Sequence, residues 1–155
     1  RSGSMKISEL LTTDLIKLST DAQDKDGILQ EMIETLEENN KISDKDEFYQ
    51  VILEREEKSS TGVGNGVAIP HGQSDVVEEA ALVFAKSETG IDFDSRDGEP
   101  AKIFFMIAVP EGGSSDHLSV LSKLSRKLMH EDFRSDLLNA DSKEELLEVI
   151  EAEEE

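Results

Sequence analysis

Apolar residues recur along this chain at two spacings. Ile28, Leu29, Met32, Ile33 and Leu36 fall at helical intervals and predict an amphipathic helix of about three turns, closed by Asn39-Asn40. Ser43 with Asp46 three residues on resembles a capping box, and Phe48, Val51, Ile52 and Arg55 follow on a second helix. Leu15-Ile16-Lys17-Leu18 predicts a first strand. Ala80 to Ala85 is continuously apolar but too short for a helix, so it is expected to be a strand. Ile91 and Phe93 alternate with polar residues and predict a short or edge strand, and Asp97-Gly98 marks a turn. Ile103 to Val109 is the most apolar stretch and predicts a central strand buried on both faces and closed by Pro110. Gly112 to Asp116 then leads into a helix that Ser114 or Ser115 is placed to cap. His117, Leu121, Leu124 and Leu128 share one face of that helix. Phe133 and Leu137 suggest a short further helix. Ser142 with Glu145 caps a last one, which carries Leu146, Leu147, Val149 and Ile150. The irregular mixture of helices and strands predicts an α/β fold, a mixed parallel and antiparallel sheet flanked by helices.

The stretch Ser60 to Gly72 stands apart from this pattern. Gly62, Gly64 and Gly66 lie within five positions and mark a turn-rich loop whose backbone can approach something closely. Val67-Ala68-Ile69 reads as a short buried strand, and Pro70 ends it for want of an N–H. His71 follows, between a rigid residue and a permissive one, with a polar turn expected after it. A histidine so placed is aimed as a nucleophile or base, or is simply carried by a turn.

Composition narrows the choice. The 155 residues fit one domain, expected over residues 5–150, with an acidic tail at 151–155. Arg1-Ser2-Gly3-Ser4 reads as a cloning scar ahead of a native start at Met5. Cysteine is absent, which excludes disulfides and thiolate metal sites and suits a reducing compartment. No apolar run approaches the roughly 20 residues of a membrane span. The formal net charge is -20, from 36 acidic and 16 basic residues. That balance repels nucleic acid, favours solubility and would steer a basic protein partner.

Only three histidines are available for chemistry. His71 and His117 each follow a Gly-rich loop, whereas His130 lies at a helix end and reads as a surface or capping residue. The first turn of a helix, where His117 is expected, disfavours a cationic imidazole and welcomes an anion. No third and fourth ligand at zinc spacing appears, no nucleophile elbow supports a serine hydrolase, and no Walker-type Gly-x-x-x-x-Gly-Lys is present. What remains is histidine as nucleophile, and one reaction open to a neutral imidazole is attack on a phosphoryl group to give a phosphohistidine. Such chemistry is mostly positioning and charge neutralisation, and needs no cofactor when donor and acceptor are themselves proteins.

Gly64-Asn65-Gly66-Val67-Ala68-Ile69-Pro70-His71-Gly72 resembles the active-site signature of the EIIA domains of the mannitol–fructose class, from the bacterial phosphoenolpyruvate-dependent sugar phosphotransferase system (PTS). Glu54-Arg55-Glu56, Asp97-Gly98-Glu99-Pro100, Val109-Pro110-Glu111-Gly112 and Asp116-His117-Leu118 follow in that family's order, so the resemblance runs from about Met5 to Ile150. It implies that His71 is the phosphorylated histidine and that His117 is its second active-site histidine, bonding the phosphate or orienting His71. Arg55 matches the family's arginine and would offset the added charge; otherwise it complements its helix end. Ser60 and Thr61 match a Ser-Thr step able to donate hydroxyl hydrogen bonds to phosphate, while Glu54 and Glu56 are expected to be solvated or to pair with Arg55. The implied donor is the phosphocarrier HPr and the acceptor a cysteine of an EIIB domain that serves an EIIC permease. The implied location is the cytoplasm, free or tethered to the membrane within a larger EII protein. The stretch Asp97 to Gly112 is similar to fructose-specific EIIA sequences. A nitrogen-related EIIA acting by protein binding is the alternative, and a mannitol-type domain comes third.

Overall fold

Seven consecutive apolar side chains, Ile103 to Val109, need cover on both faces, and the fold is arranged to supply it. In the computed structural model, which describes residues 6–112 and 115–152, they form the body of strand β6 (Ala101–Pro110), buried at every one of those positions. One edge of β6 pairs antiparallel with β5 (Ala81–Ile91), and β5 pairs in parallel with the short β1 (Ile16–Lys17). The other edge of β6 pairs in parallel with β3 (Val67–Ala68) and then with β4 (His71–Ser74). β3 in turn pairs antiparallel with β2 (Gly62–Gly64). The result is the expected mixed sheet, six-stranded among the described residues.

Helices α1 (Lys25–Glu38) and α2 (Lys45–Lys58) pack on each other, α1 against β5 and α2 against β4. The first presents Ile28, Leu29, Met32, Ile33 and Leu36 to the core. Helices α3 (Ser115–Lys127), α4 (Glu131–Asn139) and α5 (Lys143–Ala152) form a second group with the N-terminal turn Ile7–Glu9. All six phenylalanines are buried, Phe84 and Phe105 meeting edge to face at 5.1 Å. Such edge-on geometry is favoured by the ring quadrupoles.

Four local expectations change. The side chain that caps α2 is Asp44, whose carboxylate accepts the Glu47 N–H at 3.1 Å, and not Ser43. The residues after His71 are not a turn; they are β4, because the edge of β6 beyond β3 would otherwise be left with unpaired backbone groups. Ile91 does not open a separate strand but ends β5, past an irregularity between Lys86 and Ile91 that includes Gly90 at φ +89°. Gly62–Gly64, expected as loop, form the short strand β2. Ser142 starts α5 as expected, its hydroxyl accepting the Glu145 N–H at 3.0 Å. The proposed scar at residues 1–4, Met5, Ser114, the side chain of Ser115 and the tail residues 153–155 lie outside what the structure describes.

Candidate active site

The site begins with the Gly-rich loop. Gly64, Asn65 and Gly66 all adopt positive φ, at +96°, +60° and +77°, so the chain reverses sharply between β2 and β3. Asp97 holds this reversal, its carboxylate accepting the N–H of Asn65 at 3.0 Å and that of Glu99 at 3.1 Å. Those two backbone donors, Asn65 first, keep the Asp97 carboxyl below the usual carboxylate range.

β3 and β4 run along the same edge of β6, interrupted at Ile69-Pro70. The Ile107 N–H still bonds to the Pro70 carbonyl at 3.0 Å, so Pro70 breaks the strand without releasing it. His71 is the first residue of β4, opposite Ile107. Its ring is half-buried, with Nδ1 3.0 Å from the carbonyl oxygen of Ile69. A carbonyl only accepts, so Nδ1 carries the proton and Nε2 is left with the lone pair. Behind it, Gly72 lets α2 close on the strand. A Cβ at that position would lie 3.0 Å from Val51 Cγ1 and 3.2 Å from Ile52 Cδ1.

His117 enters from the first turn of α3 and is also half-buried. Its Nδ1 is sealed from solvent and has no hydrogen-bond partner among the described residues. His71 and His117 line one cleft of about 140 Å³, with Gln73, over an apolar floor of Ile107, Val109 and Leu121. A larger cavity, about 420 Å³, lies elsewhere, between Lys86, Lys102, Glu88 and Asp141. Size does not locate the chemistry here. The larger cavity holds no histidine, and the Lys86 ammonium in it donates to the carbonyls of Leu137, Leu138 and Ala140 at the end of α4. Burial pushes the Lys86 amine down from its usual value.

The other expected residues stand outside the cleft lining. Arg55 is half-buried in the last turn of α2, where Nη1 donates to the Ser59 carbonyl at 2.9 Å and so closes the helix end. The Ser60 hydroxyl donates to the Phe93 carbonyl at 2.6 Å and accepts the Gly62 N–H. Thr61 is 2% exposed, and its hydroxyl donates to Glu56. Both hydroxyls are thus engaged in bonds that hold the loop. Glu56 corrects a further expectation: it is buried and pairs with Lys25 at 3.0 Å, while Glu54 is exposed. The signal was present in the four-residue spacing of Phe48, Ile52 and Glu56, which puts an acid on the apolar stripe of α2. His130 is exposed, between α3 and α4. Among the described residues no cluster of histidine and carboxylate side chains is arranged to hold a metal ion.

Residues 9–153 match the family model described as phosphoenolpyruvate-dependent sugar phosphotransferase system, EIIA 2. The chain belongs to this family. Among its PTS EIIA relatives is the fructose-specific EIIABC component of Bacillus subtilis, 42% identical over 94% of this chain but only 23% of that protein, so the chain spans less than a quarter of it. The fructose-specific EIIA component of Haloferax volcanii is 42% identical over 93% of this chain and 94% of its own. Among solved structures, the nitrogen regulatory protein IIA-Ntr of Neisseria meningitidis superposes with a TM-score of 0.86 at 33% identity, covering 93% of this chain and 98% of its own. The mannitol EIIA of Escherichia coli, solved in complex with phosphorylated EIIB, gives 0.78 at 25% identity, with 92% and 97% covered. An α/β EIIA fold with a mixed sheet is thereby shown, and with it a phosphocarrier family. No helix among the described residues is long and apolar enough to cross a membrane.

Proposed function

We propose that this EIIA domain carries phosphoryl groups on His71 Nε2, taking them from phospho-HPr and passing them to a cysteine of a fructose-type EIIB domain that serves an EIIC permease. The observation that carries this reading is the 3.0 Å contact of His71 Nδ1 with the Ile69 carbonyl, in a cleft shared with His117. The ring's one proton is committed on the far side, and Nε2 forms the N–P bond without first losing one. His117 brings a second imidazole to the same small cleft and hydrogen-bonds the phosphoryl oxygens. Arg55, at the C-terminal end of the helix packed on Gly72, offsets the added charge. The EIIB acceptor is supported by the mannitol EIIA–EIIB complex and by the fused EIIABC relative, and the fructose class by the two relatives at 42% identity.

Mixing the protein with enzyme I, HPr and phosphoenolpyruvate is expected to add one acid-labile phosphate. His71→Ala abolishes the label, and label persisting in that variant sinks the assignment. His117→Ala is expected to slow onward transfer to EIIB more than it slows labelling. One observation favours a second reading, regulation by protein binding: the 0.86 TM-score to IIA-Ntr at 33% identity. Failure to pass phosphate to any fructose-type EIIB, with tight phosphorylation-dependent capture of a regulator, would select it.

A further inference from the structure

Glu56 is an acid where α2 should be apolar. Phe48, Ile52 and Glu56 are the buried residues of that helix, and the Glu56 side chain is 5% exposed. Its polar partners among the described residues are all donors. Oε1 accepts the Thr61 N–H at 3.1 Å and lies 3.0 Å from Lys25 Nζ, and Oε2 accepts the Thr61 hydroxyl. Lys25 is itself fixed, 4.7 Å above the Phe93 ring and 3.4 Å from Asp94. From Thr61 the bonding continues toward the site. The Thr61 carbonyl accepts the Ile69 N–H at 3.0 Å, and the Ile69 carbonyl accepts the His71 Nδ1–H at 3.0 Å. Three hydrogen bonds in sequence thus lead from a buried carboxylate to the candidate nucleophile.

We propose that Glu56 is a positioning residue for His71. It clamps Thr61 by both backbone and side chain, Thr61 holds Ile69, and the Ile69 carbonyl fixes the ring in the tautomer that leaves Nε2 free. A buried ion pair is weak support for stability alone, because desolvating two charges offsets much of their attraction. What the carboxylate supplies and an apolar side chain would not is acceptors for two buried Thr61 donors, whose loss would free the backbone under Ile69. The consequence for transfer rests on the phosphocarrier reading above; the consequence for the tautomer does not.

The test compares Glu56→Leu, which fills the space without accepting a bond, with Glu56→Gln, which keeps an acceptor for the Thr61 N–H. In the wild type, ring ¹⁵N shifts should report neutral His71 as the Nδ1–H tautomer. Glu56→Leu should give mixed tautomers and lower kcat for labelling by phospho-HPr roughly tenfold with KM within about twofold, as loss of a group orienting a reactive imidazole does. Glu56→Gln should restore kcat to within about threefold of wild type and recover the tautomer. A folded Glu56→Leu with unchanged tautomer and kcat overturns the proposal, and so does a wild type found as Nε2–H. If Glu56→Leu does not fold, Thr61→Val, which removes one of the two clamps, carries the same comparison with an intermediate effect. If wild-type His71 takes no phosphate, the phosphocarrier reading fails and the tautomer measurement alone decides the role of Glu56.

Discussion

Among single residues, the two histidines of the cleft are ones whose neighbours in the chain restrict them. His71 stands out because a proline precedes it and a glycine follows, and His117 because it follows a Gly-rich loop at a helix start, but their roles are implied only by the family resemblance. Ser60, Thr61 and Glu56 were not legible in the same way. A hydroxyl or carboxylate serves equally well as a ligand donor or as an internal strut, and only coordinates show that these three brace the loop. Asp97 belongs with them and makes the clearest pH test. Its folded pKa is held below the unfolded value of 3.8 by the N–H groups of Asn65 and Glu99. A depressed carboxyl stabilises the fold above its unfolded pKa and loses that contribution as pH falls through the folded one. The stability advantage of the wild type over Asp97→Asn should therefore be full at pH 6, shrink as pH drops below 3.8, and vanish once Asp97 is protonated in both states. Denaturant titrations of the pair across that range check the sign. A difference that stays constant down to pH 2 would mean that the carboxylate's charge plays no part.

At the scale of elements, the pattern of apolar residues located helices α1 to α5 and strands β1, β3, β5 and β6, but neither β2 nor β4 nor the pairings. β6 declares itself by its unbroken apolar run, and α1 by its stripe. β4 does not, because His71-Gly72-Gln73-Ser74 is polar and becomes a strand only through the free edge of β6 beside it. Periodicity reports burial, and that strand is made by backbone bonds. The junction of α2 with β4 places the nucleophile, and it depends on the missing side chain at Gly72. Gly72→Ala would press a methyl group against Val51 and Ile52 at 3.0 and 3.2 Å, tighter than most carbon contacts, so those side chains must give way. Overpacking of this kind should cost about 1–3 kcal/mol. Chemical denaturation of Gly72→Ala measures that cost, and adding Val51→Ala should recover part of it by opening space at the nearest contact. Strict additivity of the two changes would show that the helix does not bear on the strand there.

For the molecule as a whole, the governing quantity is charge. With 36 acidic against 16 basic residues, the folded chain concentrates a net -20 on a small surface. Compaction brings those charges closer than they lie in the unfolded chain, so their mutual repulsion opposes folding. Partly exposed ion pairs such as Lys41–Glu79 at 2.7 Å and Lys45–Glu34 at 3.9 Å contribute little each, and 16 basic residues can neutralise fewer than half of 36 acids. Added salt therefore relieves more repulsion than it removes attraction. Raising ionic strength from about 0.01 to about 1 M shortens the screening length from about 30 Å to about 3 Å. The thermal midpoint should rise with sodium chloride by several degrees, on the scale of about 2–4 °C for each kcal/mol in a domain of this size. Most of the rise should fall below about 0.2 M, where the screening length changes fastest. A midpoint that stays flat or falls over that range would place the stabilising ion pairs ahead of the repulsion. It would also remove the reason to expect the acidic surface to govern how a basic partner is met.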